Sequence, residues 1–189
     1  MFKKKLILFT TIIFTFYGSI CAQEKLIINT SKSEIKWIGE YTFYFGGHDG
    51  TIDLKEGYLI KTGDKITGGA FVIDMNTIKN ADLDSEEAKA GLVDHLKDPD
   101  FFDVKNHPDA RLEITDVQYL TSTLMKVKAN LTIKGITHPV ELRAEANFEE
   151  STLATKFKID RRLWEVNYTS KMRDGAISDA IGFIISLSL

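Results

Sequence analysis

Apolar and polar residues alternate strictly over most of the second half of this chain of 189 residues. Between Met125 and Lys134, apolar side chains hold one parity and polar side chains hold the other. The same pattern recurs in residues 140–149, 153–160 and 181–189. Because successive side chains of a β-strand point to opposite faces, this period of two is typical of antiparallel strands with one buried and one solvated face.

Four earlier segments also predict strands, although their alternation is less regular. They span Ile35 to Ile38, Thr51 to Lys61, Ile66 to Ile78 and Arg111 to Leu120. Strand-forming residues in these segments are bounded by residues that favour turns. Together with the segments of the second half, they predict about eight strands.

Glycine and proline mark the predicted turns. Lys134-Gly135 separates two alternating segments and predicts a turn. Thr137-His138-Pro139 is expected to bend the chain, because the missing N–H of proline is tolerated at a strand start or a sheet edge. Gly46-Gly47 and Gly68-Gly69 do not open helices, so we expect them in turns or close strand crossings and not in phosphate-binding loops.

Residues 84–97 are the exception to the strand pattern. Asp84 is expected to cap a helix, with Glu87 three residues later as its reciprocal partner. Apolar residues at i, i+4 spacing, among them Leu92 and Leu96, then share one helical face. The sequence therefore predicts one short helix inserted between strands.

About eight one-faced strands and one helix in a single domain predict an all-β fold, either a closed barrel or a sandwich. An eight-stranded barrel fills its interior with side chains or holds one small ligand. Most inward-facing residues are apolar, and Ala129, Ala144, Ala146 and Thr155 are small for such positions. They leave room for a ligand unless large neighbours fill the space, and the alternation does not decide between the two.

The first 22 residues are expected to be a cleaved signal peptide. Three lysines at positions 3–5 precede an apolar run from Leu6 to Tyr17, and small residues up to Ala22 predict cleavage before Gln23. The sequence therefore predicts export to the periplasm or the medium, with residues 23–189 forming one mature domain.

Cleavage at this point changes the charge and the cysteine content. It removes three lysines and no acidic residue, so the formal net charge moves from −3 to −6. A mildly acidic protein without a basic run is a poor nucleic-acid binder. The one cysteine, Cys21, leaves with the leader, so the mature domain has no disulfide to form. Lipidation of Cys21 is disfavoured because Ile20, which is not small, precedes it.

Histidines supply candidate catalytic or metal-binding groups, although their spacing matches no metal-ligand pattern. His48-Asp49 and Asp94-His95 would bind zinc if the fold brought them together. The simpler interpretation has both histidines hydrogen-bonded to backbone near loops. His138 is expected to be exposed. Nucleophile motifs such as Gly-x-Ser-x-Gly do not occur in the sequence.

Two groups of charged residues have structural explanations that compete with functional ones. The carboxylates of Asp94, Asp98, Asp100 and Asp103 are expected to be caps or solvated flanks of the helix, although paired acids also perform acid–base chemistry. In Asp160-Arg161-Arg162, a bidentate pair of Asp160 with one arginine is expected to fix the corner after a strand. The alternative is an arginine that meets an anionic head group.

Five distinctive segments follow one another along the chain. They are Gly47 to Ile52, Gly69 to Ile78, His95 to Asp103 with His107-Pro108 after it, Leu131 to Val140, and Ile159 to Arg161. In this order they resemble the YceI family of exported lipocalin-like proteins, also called the polyisoprenoid-binding YceI-like domain. The resemblance extends over roughly residues 28–189. It departs at Glu165, since the family usually carries a glycine after the aromatic residue that here is Trp164.

The resemblance implies an eight-stranded antiparallel lipocalin-like barrel whose apolar tunnel holds one long isoprenoid or related lipid, without metal, cofactor or catalytic residues. It implies a non-catalytic role in binding, storing or transporting that lipid, with which transient membrane contact is compatible. It does not fix the oligomeric state. The predicted lining consists of Trp37, Phe71, Ile73, Met75, Leu112, Ile114, Val127, Leu131, Leu142, Phe157, Ile159, Phe183 and Ile185.

Two other functions stay open on the sequence alone. One is an enzyme that acts on a lipid or quinone through His48, His95 and nearby aspartates. The other is a stress-linked protein that binds a partner through Phe101 and Phe102, which we expect to be exposed. The segment with these two aromatic residues is also expected to lie beside the tunnel, as a gate or as a plug.

Overall fold

A computed structural model describes residues 22–43, 45–168 and 177–189 of the chain. The predicted signal peptide therefore lies outside the described residues, apart from Ala22. The elements in chain order are β1 (Gln23–Ile27), β2 (Glu34–Tyr41), β3 (Gly47–Thr62), β4 (Lys65–Asn80), α1 (Glu86–Lys97), β5 (Asp109–Tyr119), β6 (Leu124–Ile133), β7 (Ile136–Asn147), β8 (Thr152–Asp160) and β9 (Ile177–Ser188).

The nine strands form one antiparallel sheet in the order β1-β3-β2-β9-β8-β7-β6-β5-β4. β4 also pairs with β3 over the length of both strands, and this pairing closes β2 to β9 into a barrel of eight strands. The predicted eight-stranded barrel with one helix is confirmed. β1 is an additional strand that the sequence did not predict, and it pairs with the second half of β3, from Tyr58 to Thr62.

The connections divide the barrel into two ends. Because neighbouring strands are antiparallel, every second connection returns to the same end. The hairpin end carries the short turns after β3, β5 and β7. The helix end carries the loop after β2, α1 with the segment that leads to β5, the turn after β6, and a short 3-10 helix, Arg161–Trp164, after β8.

Local backbone geometry explains two reversals at the helix end. Lys134 and Gly135 both have positive φ, 51° and 73°, which is the geometry that two-residue hairpins favour. Gly46 has a φ of 104° in the loop after β2, and a side chain at Gly47 would collide with the carbonyl of Gly39. This glycine pair therefore serves a turn and a close strand crossing, as predicted.

The predicted bend at Thr137-His138-Pro139 is wrong, since these residues lie inside β7. Within the described chain, β7 pairs with β8 only over Ala144–Asn147. Pro139 precedes that pairing, so its missing N–H costs no hydrogen bond to β8. The two strands separate toward the helix end, where the Arg161–Trp164 helix contacts β7.

The N-terminal cap of α1 lies one residue later than predicted. The hydroxyl of Ser85 accepts a hydrogen bond of 3.1 Å from the Ala88 N–H, so Ser85 is the cap and the expectation of Asp84 paired with Glu87 is wrong. Serine and aspartate are comparable caps, and the packing of the helix against the barrel decides which of them is in register. Among the described residues, no helix is long and apolar enough to cross a membrane.

Candidate ligand-binding cavity

The barrel encloses a cavity of about 190 Å³ whose wall is almost entirely apolar. Side chains from all eight barrel strands and from α1 line it. At the hairpin end, the lining residues Leu59, Ile66 and Met125 are no more than 1% exposed. This end is therefore packed shut by side chains, and the polar members of the wall lie mainly toward the helix end.

Twelve of the thirteen residues that the sequence predicts as ligand contacts line this cavity. The exception is Ile159, which is buried in β8 but does not contribute to the described wall. Ligand contact itself stays a prediction for all thirteen. The twelve are Trp37, Phe71, Ile73, Met75, Leu112, Ile114, Val127, Leu131, Leu142, Phe157, Phe183 and Ile185.

Small inward residues account for part of the space. Ala144 and Thr155, which are cross-strand partners, line the cavity. Ala129 and Ala146 are buried but do not line it. A cavity of about 150 Å³ takes up one benzene, so 190 Å³ accommodates roughly seven carbon groups. Large neighbours therefore do not fill the interior.

α1 and the segment after it cover the helix end of the cavity. Leu92, Leu96, Phe101 and Phe102 all line the wall. The two phenylalanines are 4% and 9% exposed, so the expectation that they are exposed is wrong. The Phe102 N–H donates to the Leu96 carbonyl at 3.2 Å, which turns the segment back over the barrel. Buried rings of this kind are not available as a docking surface for a protein partner.

Four aromatic rings cluster where α1 faces the barrel: those of His95, Phe101, Phe102 and Tyr168. The ring centroid of His95 lies 4.4 Å from that of Tyr168 and 5.7 Å from that of Phe101. The ring centroids of Phe101 and Phe102 lie 4.9 Å apart. His95 lines the cavity. Its Nε2 atom is buried and has no hydrogen-bond partner among the described residues. The backbone hydrogen bond expected to satisfy this histidine is therefore wrong for Nε2.

His48 is satisfied by side chains and not, as expected, by backbone. Tyr41 Oη and His48 Nε2 lie 2.9 Å apart, and His48 Nδ1 lies 2.9 Å from Asp82 Oδ2. Asp82 also accepts a hydrogen bond of 3.0 Å from the Asp49 N–H. Burial by itself raises the pKa of Asp82, but the hydrogen bonds from His48, Asp49 and Asn80 outweigh it and hold that pKa below its ordinary value.

The fold does not join His48 to His95 in a zinc site. Within residues 22–43, 45–168 and 177–189, the cluster whose spacing would suit a metal ion consists of His95, Asp98 and Asp100. Its candidate ligand atoms lie within 4.8 Å of one another. Both carboxylates are exposed, in keeping with the predicted solvated flanks of the helix. The zinc alternative that paired the two histidines is therefore wrong.

Asp160 and Arg162 form the predicted bidentate pair at the corner after β8. The Arg162 Nε and Nη2 atoms donate hydrogen bonds of 2.9 Å and 2.7 Å to the two carboxylate oxygens. This pairing lowers the pKa of Asp160 and raises that of Arg162. Arg161 is buried and donates to two backbone carbonyls and to Asp179. Both arginines therefore have partners within the protein, which argues against the alternative in which one of them binds an anionic head group.

Glu165 adopts the left-handed backbone conformation that favours glycine, with φ 54° and ψ 30°. It follows Trp164, so this is the position at which the chain departs from the family pattern. The Glu165 N–H still bonds to the Arg162 carbonyl at 3.0 Å. His138, which was expected to be exposed, is half-buried and packs edge-on against Trp164 at 5.4 Å. The corner therefore keeps its turn and its packing, at the cost of a strained residue.

The fold and the cavity define the class: closed antiparallel β-barrels of the lipocalin type with an apolar cavity inside. The sequence profile of the YceI-like domain matches residues 27–189. The chain belongs to the YceI-like domain family.

Curated relatives match a shorter stretch. A UPF0312 protein of Pseudomonas putida is 36% identical over 72 residues, which are 38% of this chain and 36% of that protein. A UPF0312 protein of Azotobacter vinelandii is 33% identical over 67 residues, which are 35% of this chain and 34% of that protein. The chain thus spans about a third of the length of the curated relatives that it matches.

Solved structures share the fold at low identity. BcnA of Burkholderia cenocepacia is similar with a TM-score of 0.66 and 16% identity, covering 85% of this chain and 98% of that chain. The YceI protein of Campylobacter jejuni is similar with a TM-score of 0.50 and 14% identity, covering 98% and 97%. Both likenesses agree with the barrel described above.

Proposed function

We propose that this chain is a non-catalytic binding protein that holds one long apolar lipid, of the isoprenoid or isoprenoid-quinone type, for storage or transport. The cavity inside the barrel carries the proposal, because its wall is almost entirely apolar. A polar ligand would lose its hydrogen bonds with water in such a wall without replacing them. The isoprenoid type rests on the family resemblance, and the cavity supports an apolar chain.

Burial of the lipid supplies the binding free energy. Each buried CH₂ group contributes about 0.8 kcal/mol, so about seven of them contribute about 6 kcal/mol before the costs of ordering the chain. One methylene more or less changes this sum only modestly. We therefore expect the protein to accept a range of related chains instead of a single compound.

Apart from His95, the ionisable side chains in the cavity wall are held by partners inside the protein, which favours binding over catalysis. His48 is held by Tyr41 and Asp82. Arg161 is held by Asp179 and backbone carbonyls, and Glu40 accepts a hydrogen bond of 2.7 Å from a lysine. Groups fixed in this way shape the helix end of the cavity and are not poised to exchange protons with a substrate.

We also propose that the protein works in the periplasm after removal of residues 1–22. The leader supports this with three lysines, an apolar run and small residues before Gln23. Fractionation of host cells, followed by intact-mass measurement, tests the proposal, with a mature chain beginning at Gln23 as the expected result. A cytoplasmic protein that keeps Met1 would contradict it, and added lipid mass at Cys21 would contradict cleavage before Gln23.

Native mass spectrometry of the protein purified from its own host tests the binding function most directly. We expect an apolar ligand that stays with the folded protein and is released on denaturation. Extraction and chromatography then identify its chain type. A protein that is empty after gentle purification, and that binds no added isoprenoid alcohol, would overturn the proposal.

A matched pair of variants tests whether the ligand occupies the cavity. Ala144 lines the cavity, whereas Ala154 on the adjoining strand is exposed. Phenylalanine at position 144 would displace several ligand carbons, so Ala144→Phe is expected to weaken farnesol binding at least about tenfold. Ala154→Phe is expected to leave binding unchanged. Equal binding by the two folded variants, checked by circular dichroism, would contradict the cavity as the site.

A further inference from the structure

We propose that His95 anchors the polar head of the ligand, and that this head is an uncharged oxygen group such as an alcohol or a quinone carbonyl. The inference rests on the proposed lipid-binding function and deepens it by assigning the head group to a place and a chemical class. It is carried by one buried nitrogen atom, its neighbours in the cavity wall and the charges beside it.

The Nε2 atom of His95 is shielded from water. It is buried, and it has no hydrogen-bond partner within the described parts of the chain. Buried polar atoms are nearly always paired, so an exception requires an explanation. His95 lines the cavity, and Tyr168 and Phe101 hold its ring from the sides. A ligand oxygen placed beside His95 in the cavity would supply the missing partner.

Other polar groups of the wall already have partners inside the protein. The indole nitrogen of Trp37 donates to the Lys79 carbonyl at 3.1 Å. His48 is bonded through both ring nitrogens, and Arg161 is bonded through its guanidinium. Among the described residues of the wall, the buried nitrogen without a hydrogen-bond partner is therefore Nε2 of His95.

Charges around His95 select against an anionic head. One ring nitrogen of His95 and one carboxylate oxygen each of Asp98 and Asp100 lie within 4.8 Å of one another. A phosphate or diphosphate placed at His95 would be repelled by these two carboxylates. Cations at this end of the barrel are held inside the protein: Lys134 donates to two backbone carbonyls, and Arg161 and Arg162 are paired with aspartates. A hydroxyl or carbonyl oxygen meets no such repulsion.

The position of His95 also sets the direction of the ligand. His95 belongs to α1 at the helix end, whereas the hairpin end is packed shut. The head is therefore held beneath α1 and the apolar chain extends toward Leu59 and Met125.

Three probes with one chain and different heads test the proposal. They are farnesol, the hydrocarbon farnesene, which lacks the hydroxyl, and farnesyl diphosphate. Binding to the full chain is measured by displacement of the fluorescent probe phenylnaphthylamine. The wild-type protein is expected to prefer farnesol over farnesene about tenfold, as one buried hydrogen bond provides, and to bind the diphosphate more weakly than farnesol.

The same measurements on His95 variants assign the preference to the residue. His95→Phe preserves the ring packing and is expected to bind both neutral probes equally, while His95→Gln is expected to keep part of the preference. His107→Gln is the control, since His107 does not line the cavity. Retained farnesene binding shows that each variant is folded.

Two results would overturn the anchor: an undiminished farnesol preference in His95→Phe, or tighter binding of farnesyl diphosphate than of farnesol by the wild-type protein. Failure of the proposed function would look different. In that case none of the three probes, farnesene included, would displace the fluorescent probe from the wild-type protein.

Discussion

The indole nitrogen of Trp164 donates a hydrogen bond of 3.0 Å to the backbone carbonyl of Leu131. Trp164 is 1% exposed. It lies where β7 and β8 have separated, so the bond joins the turn after β8 to β6 across the gap in the sheet. Here a side-chain hydrogen bond holds the wall of the barrel together, as backbone hydrogen bonds between paired strands do elsewhere.

Replacing Trp164 by phenylalanine is expected to destabilise the protein. The variant keeps an aromatic ring but loses this buried hydrogen bond, at a cost of about 0.5–1.5 kcal/mol. Urea denaturation at neutral pH measures the loss. Leu163→Ala is the control, because Leu163 is 50% exposed and surface changes cost within about 0.5 kcal/mol. A Trp164→Phe variant as stable as this control would refute a structural role for the bond.

Glu165→Gly is expected to stabilise the protein. The left-handed conformation costs a residue with a side chain about 1–2 kcal/mol, and the greater chain entropy of glycine in the unfolded state offsets about half of this gain. Thermal melting should therefore rise by about 2 °C, as a net gain below 1 kcal/mol predicts for a domain of this size. Glu165→Ala keeps a Cβ atom and should show no gain, so an equal increase in both variants would contradict the strain at Glu165.

Asp82 is expected to make stability depend on pH in the acid range. Its pKa is lowered in the folded state, so its contribution is fully present above the ordinary carboxyl pKa of about 4 and is lost as the pH falls through the folded pKa. Asp82→Asn should cost about 1 kcal/mol at pH 7, because solvent screens the interactions of this exposed residue, and progressively less toward pH 3. Urea denaturation across this range measures the difference, and a constant difference would contradict the assignment.

Leu131 tests which face of β6 points inward. Leu131 is 6% exposed and lines the cavity, whereas its neighbour Asn130 is exposed and lies opposite Glu113. Leu131→Lys places a charge in an apolar wall and is expected to abolish lipid retention or folding. Asn130→Lys should fold and bind as the wild type does. A folded Leu131→Lys protein with normal lipid retention would show the assigned parity to be wrong.

Local patterns located the strands well where one face is dry and the other wet. β6 was predicted from Met125 to Lys134 and spans Leu124–Ile133, because side-chain alternation is a property of the strand itself. β1 escaped prediction because Gln23–Ile27 is short and mostly exposed. Its place in the sheet depends on β3, which supplies the pairing partner from a distant part of the sequence.

Sequence patterns predicted less about α1 and the segment that follows it. The i, i+4 spacing predicted a helix, yet it did not reveal that Phe101 and Phe102 are buried or that His95 enters the cavity wall. Those outcomes depend on how α1 packs across the barrel end. Aspartates on both sides of the two phenylalanines gave that segment a surface-like composition, although its backbone hydrogen bonds fold it inward.

By itself the sequence determined the antiparallel strands, the inward apolar set and the family. Each of these depends on residue order along a strand or on short motifs. Only the tertiary structure decided that the barrel closes through β3 and β4, that Ala144 borders empty space while Ala129 does not, and that Nε2 of His95 has no described partner. Cavities and unpartnered polar atoms depend on contacts between residues that are distant in the sequence. The periodicity of residues along the chain therefore does not predict them.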